Sequence, residues 1–498
     1  MILNYKAVAG VLGALVFFLG VALIAPMIVG LIYGEAEWWG FGVMALVSMA
    51  GGGAAYWRFG RSGDSLGARE GFAIVALAWF VLSLVGAVPF VLGGPLDSYT
   101  DAFFETMSGF TTTGATILGG GGNPAIEEVS HAHLFWRSLT HWMGGMGVVV
   151  LTLAILPFLG VGGMQLFRAE APGPSADKLT PRIRETARRL WFIYVGLTFV
   201  HFVLLLPAMT VFEAVTHAFS TMATGGFSTL NGSVGQFQSA YVDWIVIVFM
   251  FLAGANFALH YRMLRGEAIT VLRDVELRVY AAIVLGATVI MLLGTWQPIS
   301  SLLQPGAPLE YAGFWESLRQ SLFQTLAIVT TTGYATADYE LWTPLAQAAI
   351  FALFFVGGMA GSTGGGVKVV RVILMLKNSF KEIKQLVHPQ ALIPIRLGGR
   401  VVPNEVMRNV LSFMVLYVGL LGAGTIGLMM CGIDVLGAFS AAASSVGNIG
   451  PAFGDFGPAE NYASVPAAGK WVLALLMMAG RLEIFTVLIL FVPTFWRR

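Results

Sequence analysis

Four short segments rich in Thr, Ser and Gly punctuate this 498-residue chain: Thr111-Thr112-Thr113-Gly114, Met222-Ala223-Thr224-Gly225, Thr330-Thr331-Thr332-Gly333 and Ser444-Ser445-Val446-Gly447. They recur at intervals of roughly 110 residues, the mark of one unit fused in several copies. Each follows a short, fairly apolar segment. Each precedes a polar, Gly-rich or Pro-containing stretch and then a long apolar run. A fold for this chain has to place four such units equivalently.

The chain is 57% hydrophobic and only 11% charged. A soluble protein of this length needs more polar residues to cover its surface, so the chain reads as an integral membrane protein. Its apolar runs are about twice as long as the roughly 10-residue strands of a transmembrane barrel, which points to helical spans that satisfy their own backbone. The 62 glycines suit close helix packing and non-helical backbone at membrane depth. Ten spans are expected, near 7–33, 37–57, 70–92, 134–167, 186–209, 241–263, 274–294, 343–376, 405–431 and 469–493. The stretch Ala7 to Tyr33 exceeds a signal peptide's apolar region of roughly 7–15 residues and reads as a first span. The lone Cys431 excludes an intramolecular disulfide framework. Every Lys and Arg except Arg137, Arg319, Lys470 and Arg481 falls on one side of these spans or at their ends on that side. The positive-inside rule makes that side cytoplasmic, with both termini on it.

Two preliminary spans (1–69) precede the units, which run 70–168, 186–265, 274–388 and 404–498. Each unit is a span, a short helix, a Thr/Gly loop and a second span. Segments such as Tyr99–Phe110 and Val211–Thr221 are too short to cross a bilayer core of about 30 Å and suit re-entrant half-helices. The expected fold is all-α: four pseudo-fourfold helix–pore-helix–filter-loop–helix repeats around one pore, after two further transmembrane helices. Every second span also carries a small-residue cluster, at Gly144-Gly145, Gly254, Gly357-Gly358 and Gly480. Close packing through small residues is the ordinary reading of any one of these. Their recurrence in all four units points to common ancestry.

Backbone carbonyls from four loops gathered round one axis can replace the hydration shell of a cation. Glycine suits such loops because the required conformations are ones a Cβ disfavours. The candidate ion-binding residues are Thr112, Thr113, Gly114, Ala223, Thr224, Gly225, Thr331, Thr332, Gly333, Ser445, Val446, Gly447 and Asn448. One such loop alone would read as helix packing with local hydroxyl hydrogen bonds; four at matched positions point to a filter. The fourth has Val446 and Asn448 where the third has Thr332 and Tyr334, so the symmetry is imperfect. The run 357–366 breaks the third unit's second span, since each glycine weakens a helix by up to about 1 kcal/mol relative to Ala. Gly361, Ser362, Thr363, Gly364, Gly365 and Gly366 are therefore candidate gate residues. A phosphate-binding loop is excluded, because Gly366-Val367-Lys368-Val369 lacks the Gly-Lys-Ser/Thr motif and no strand precedes it. Arg481 lies mid-span, where a charge is costly and faces the bundle interior or a wet cavity. Its i, i+2 spacing turns Glu483 away on a helix, so Arg481 is assigned beside the ion path, resisting cations until the gate rearranges.

The basic stretch 377–408, with Pro389, Pro394 and Pro403, reads as a topology signal, with docking of a cytosolic partner as the alternative. No metal-ligand spacing and no nucleophile–base arrangement is found, so no enzyme, organic cofactor or nucleic-acid partner is expected. A secondary transporter of a small organic solute would also interrupt spans near the midplane, but predicts paired halves instead of four units. A membrane scaffold leaves the fourfold spacing unexplained.

The four loop glycines, the extra N-terminal spans, the loop 357–366, Gly480-Arg481-Leu482-Glu483 and the stretch Gly162 to Pro174 together resemble the Trk/Ktr/HKT superfamily of potassium transporters, specifically its bacterial TrkH/TrkG membrane subunits. The resemblance implies a potassium-selective pore in the inner membrane, with a gating loop. It also implies homodimerisation and control by a cytosolic, nucleotide-binding TrkA-like ring. In plant relatives serine at the first filter glycine goes with sodium transport; Gly114 at that position favours potassium. Channel-like and proton-coupled flux both stay open, and the lack of an evident intramembrane carboxylate relay leans towards passive conduction.

Overall fold

The structure, a computed structural model, describes residues 4–60, 67–147, 183–304 and 311–496. It is predominantly helical, and the one sheet among the described residues is a two-residue antiparallel pair, β1 Arg396–Leu397 with β2 Arg400–Val401. Helices α1 Tyr5–Ala22 and α2 Ile24–Tyr33 follow one another through Leu23 and make one apolar span. The Asn4 side chain accepts a hydrogen bond from Ala7 N and caps α1. Helix α3 Trp38–Phe59 lies along α1, close enough that a Cβ on Gly13 would sit 2.7 Å from Ala55 Cβ.

The four units follow. The first contains α4 Ala68–Val91, the short α5 Tyr99–Phe110 and α6 His131–Trp142. The second contains α7 Ile183–Leu205, the short α8 Val211–Met222, α9 Ala240–Ala253 and α10 Phe257–Leu264. The third contains α11 Val275–Thr295, α12 Phe314–Val329, α13 Pro344–Leu353 and α14 Val369–Val387. The fourth contains α15 Asn404–Met430, the short α16 Val435–Gly447 and α17 Ala467–Arg481.

The short helices are pinned to the unit before them. Helix α8 packs on α6, α12 on α9, and α5 on α17. Phe439 of α16 stacks on Phe351 of α13, with ring centroids 6.0 Å apart. The chain of contacts thus runs from each unit to the next and from the fourth back to the first.

Among the described residues five helices are long and apolar enough to cross a membrane, and seven if each of two bent helix pairs counts as one span. The difference from the ten expected spans comes largely from breaks. The stretch expected at 241–263 divides between α9 and α10, which meet at 100° across Gly254–Asn256. The last span divides after Arg481, with a bend of 116° to Phe485–Phe491. The third unit's second span is irregular from 354 to 368, at the glycine run. In the first unit α6 passes into a π-helical turn, Met143–Gly147; the rest of the span expected to reach 167, and the stretch 162–174, lie outside the described residues. Three of the four small-residue clusters therefore fall at irregular backbone, and Gly480 lies in the last turn of α17 just before its break. The basic stretch 377–408 is also less loop-like than expected, because α14 continues to Val387 and β1–β2 follows.

Arg137, Arg319 and Lys470, the three cations that the sequence reading sets apart from the basic loops, are each ion-paired. Arg137 Nε lies 2.7 Å from Glu105, Arg319 Nε 3.2 Å from Asp243 and Lys470 Nζ 2.6 Å from Asp101. Two of these pairs join a short helix to the second span of the preceding unit: Asp101 on α5 to Lys470 on α17, and Arg319 on α12 to Asp243 on α9. They serve the assembly of the units and say nothing against the charge asymmetry. Removing one partner of a buried pair leaves the other charge uncompensated, so Lys470→Ala should destabilise the chain by about 3 kcal/mol. Thermal unfolding in detergent checks this, and Asp101→Asn in the same chain should recover part of the loss.

Candidate functional site

Three of the four short helices are capped at their N-termini by side chains. Ser98 Oγ accepts from Asp101 N, Thr210 Oγ1 from Glu213 N, and the Asp434 carboxylate from Leu436 and Gly437 N. Their opposite ends run into the Thr/Gly loops, so four C-termini, each carrying partial negative charge, point at the same region.

All four loops take one backbone course. The second residue beyond each helix's last matched turn is left-handed: Thr112 (φ 52°), Thr224 (φ 54°), Thr331 (φ 58°) and Asn448 (φ 54°). The following N–H turns back to the carbonyl five residues earlier: Thr113 to Ser108 (2.9 Å), Gly225 to Ser220 (2.8 Å), Thr332 to Ala327 (2.8 Å) and Ile449 to Ser444 (2.9 Å). The next residue is a glycine with positive φ: Gly114 (78°), Gly226 (83°), Gly333 (73°) and Gly450 (106°).

This course corrects the register in two loops. Gly225 occupies the position of Thr113, one before the matched glycine, and Ser445, Val446 and Gly447 still belong to α16. The matched residues of the fourth loop are Asn448, Ile449 and Gly450. The pattern common to all four is Thr or Asn two positions before a glycine, which the sequence displays but Thr-Thr-Thr-Gly obscures.

The matched glycines close a ring. A Cβ on Gly114 would lie 2.1 Å from the Gly225 oxygen, one on Gly226 2.0 Å from that of Thr332, one on Gly333 2.0 Å from that of Ile449, and one on Gly450 2.6 Å from that of Thr113. Each unit's glycine thus abuts the carbonyl of the next, and the fourth returns to the first. No side chain fits at any of the four. Among the described residues no hydrogen-bond donor reaches the carbonyls of Thr112, Thr113, Gly225, Thr331, Thr332, Asn448 or Ile449.

The loop side chains serve the scaffold. Thr111 Oγ1 bonds Met107 O (2.6 Å) and Thr113 Oγ1 (2.8 Å); Thr330 Oγ1 bonds Leu326 O and Thr332 Oγ1, both at 2.7 Å. The second and fourth loops, with Ala223/Gly225 and Gly447/Ile449, have no such pair. Instead Asn448 Nδ2 donates to Thr113 Oγ1 (3.0 Å) and Met477 O (2.8 Å).

The glycine run lies directly against the ring's inner side. A Cβ on Gly365 would be 2.5 Å from Gly447 O and one on Gly364 2.9 Å from Thr330 O. Gly365 N donates to Thr331 Oγ1 at 2.7 Å. Thr363 Oγ1 donates to Met222 O and Ala253 O, and Gly361 O accepts from Phe257 N, so the broken span α9/α10 supplies much of the loop's anchorage. Ser362 Oγ bonds Met359 O, and Gly366 turns the chain with φ 65°. Gly357 N to Val367 O and Val369 N to Gly358 O pinch the loop shut, while Glu276 Oε1 accepts from both Ala360 N (2.8 Å) and Val370 N (3.2 Å).

Arg481 reaches this loop. Its Nη1 donates to Thr363 O (2.7 Å) and its Nη2 to Gly144 O (2.8 Å) and Gly145 O (3.2 Å), joining the first, third and fourth units at one guanidinium. Glu483 is ion-paired with Arg371, as the i, i+2 spacing with Arg481 allowed. Among the described residues no group of three or more His, Cys, Asp or Glu could hold a metal ion. Burial first and then Asp338, Glu460 and Asp455 push the Glu340 carboxyl above its ordinary value, while Gly454 N donates to it.

The family model TrkH, described as a cation transport protein, matches residues 42–498. The chain belongs to the TrkH family. It is 40% identical to the Trk system potassium uptake protein TrkH of Salmonella typhimurium over 99% of this chain and 100% of that one. It is 34% identical to TrkG of Escherichia coli over 99% of both. The crystal structure of the potassium transporter TrkH from Vibrio parahaemolyticus superposes with a TM-score of 0.86 at 37% identity, covering 99% of this chain and 100% of that chain.

The corrected register is open to a direct comparison in the fourth unit. Gly450→Ala puts a methyl against Thr113 O in a conformation L-residues avoid and should cost about 2 kcal/mol or more. Gly447→Ala, inside α16, should change stability by about 1 kcal/mol at most. Thermal unfolding of the two variants in detergent separates them.

Proposed function

We propose that this TrkH-family chain is a potassium-uptake protein of the bacterial inner membrane, with four units surrounding one pore and both termini in the cytoplasm. The observation that carries the reading is the closed ring of glycine–carbonyl contacts. In it, potassium sheds water at the carbonyls of Thr113, Gly225, Thr332 and Ile449, with those of Thr112, Thr224, Thr331 and Asn448 in the adjoining layer. Among the described residues those oxygens have no hydrogen-bond donor, so coordinating an ion there displaces none of these bonds. The four helix C-termini add a negative field that favours a cation and is present before it arrives.

Below the ring, the loop 361–366 blocks the path, and Arg481 places a positive charge beside it. Opening requires the loop to release Thr331 and Arg481 together. A cytosolic nucleotide-binding subunit acting on the basic cytoplasmic surface, and pairing of two copies of the chain, complete the reading; both rest on the resemblance to Trk systems. Relatives named as potassium uptake proteins support potassium as the cargo.

Proteoliposomes holding the purified chain should accumulate rubidium tracer, with potassium competing strongly and sodium and organic solutes weakly. Competition by an organic solute with no rubidium uptake would sink the reading. Gly114→Ser should lower the rubidium-to-sodium ratio, since a Cβ there displaces one carbonyl of the ring. Arg481→Ala should raise partner-independent rubidium flux by about tenfold or more, the scale expected on removing one charge a few ångströms from an ion path. Equal or lower flux in that variant counts against the gate.

A further inference from the structure

The second loop is walled by a tight three-layer stack, where the third loop has only the looser pair of Tyr334 and His217 with centroids 6.0 Å apart. Phe227, immediately after Gly226, has the His141 ring parallel to it, with centroids 4.0 Å apart and planes inclined by 17°. The Arg137 guanidinium carbon lies over the same ring at 4.0 Å from its centroid. Two groups cannot share one face of a phenyl ring at that distance, so Phe227 is held between them. All three side chains are buried. The stack touches the ring backbone itself, because a Cβ on Gly225 would lie only 2.3 Å from His141 Nδ1. Gly225 is thus glycine for a reason unlike that of Gly226: a flat side chain occupies the space its Cβ would need.

Arg137 then ties this wall to the first loop. Its Nε meets Glu105 at 2.7 Å, its Nη1 donates to Ser228 O (3.2 Å) and its Nη2 to Thr116 Oγ1 (3.2 Å). Glu105 also accepts from Thr116 Oγ1 and Ile117 N, just past Gly114. One guanidinium therefore spans the outgoing strands of two adjacent loops, at the junction where Gly114 abuts the Gly225 carbonyl. His141 Nδ1 lies 3.3 Å from Ser220 Oγ, and its Nε2 has no hydrogen-bond partner among the described residues. The imidazole serves the site as a flat surface more than as a hydrogen-bonding group.

We propose that Arg137 and His141, clasping Phe227, are positioning residues that fix the Gly225 carbonyl in the ring and so set the cation preference of the pore. The inference rests on the carbonyl ring being the filter. An aliphatic side chain at either position leaves the second loop free to relax outward, and a ring that has lost its set diameter discriminates less between potassium and the smaller sodium. Lysine cannot replace Arg137, since it keeps the charge but loses both the fork and the stacking plane.

The test measures rubidium and sodium uptake in the same proteoliposomes for the unaltered chain, Arg137→Lys, His141→Leu and His141→Phe. Arg137→Lys and His141→Leu are each expected to lower the rubidium-to-sodium ratio by about tenfold, the scale of one lost charge-assisted hydrogen bond or stacked contact. His141→Phe keeps a flat ring on Phe227 and should hold the ratio. A purely structural role predicts that both fluxes fall together; an unchanged ratio in His141→Leu and in Arg137→Lys overturns the proposal. So does a ratio for His141→Phe as low as that for His141→Leu. Should Arg137→Lys fail to fold, the two His141 variants decide alone. Absence of selective uptake by the unaltered chain would instead overturn the filter reading itself.

Discussion

Four glycines, each set against a carbonyl oxygen of the neighbouring unit, are the contacts on which the rest of this molecule depends. At 2.0 to 2.6 Å from where a Cβ would stand, those oxygens leave room for hydrogen only. The contact chain is cyclic, so a displacement at one glycine is felt by a neighbour on either side. Contacts this close tolerate little local movement. The left-handed threonines before the glycines are β-branched residues in a conformation they rarely adopt, held there by the N–H that turns back five residues. Burial of the short helices and the ion pairs Asp101–Lys470 and Asp243–Arg319 between units supply the restraint. In the proposed pore this rigidity is what allows a size preference, because carbonyls free to move would close on a smaller ion as readily.

The units share a backbone but not a chemistry. Units one and three use paired threonine hydroxyls to tie the loop to its helix; unit four reaches across with Asn448, and unit two leans on an aromatic stack. Asparagine at the left-handed position of the fourth loop fits its tolerance of that region, and it spends its amide on Thr113 of the first unit. The two loops without hydroxyl pairs are thus braced by contacts with unit one. Its helix α6, bearing Arg137 and His141, and the π-helical turn after it, bearing Gly144, together touch units two and four.

Much of this was legible in the residues, and the failures have physical causes. The short helices and the break at the glycine run follow from patterns of glycine and apolar length. The register of the second loop did not, because Gly225 and Gly226 are both glycines and only the His141 wall distinguishes them. In the fourth loop the run Ala441-Ala442-Ala443-Ser444-Ser445 continues the helix through Gly447, so composition alone places the turn too early. The break after Gly254 carried a signal in Asn256, whose side chain caps the next helix by accepting from Ala258 N. The break after Arg481 carried none: Glu483 and Ile484 take φ of 58° and 62°, and nothing about a buried isoleucine foretells that.

Those breaks matter because an interrupted helix leaves carbonyls without partners. Ala253 and Gly254, at the broken end of α9, accept from Thr363 and Met359 of the glycine run. Gly144 and Gly145, at the π-helical turn, accept from Arg481. The loop is therefore held largely by backbone exposed through irregularity in other units, and the side chains of Thr331, Glu276 and Arg481 add to that hold. It follows that loop and ring are not separable layers. Thr331 is at once the left-handed residue of the third loop and the acceptor for Gly365 N, so release of the loop frees a threonine whose strained conformation that bond helps to hold. In the proposed mechanism, opening the gate must therefore alter the third quarter of the filter, and conduction and selectivity cannot be fully independent properties of this chain.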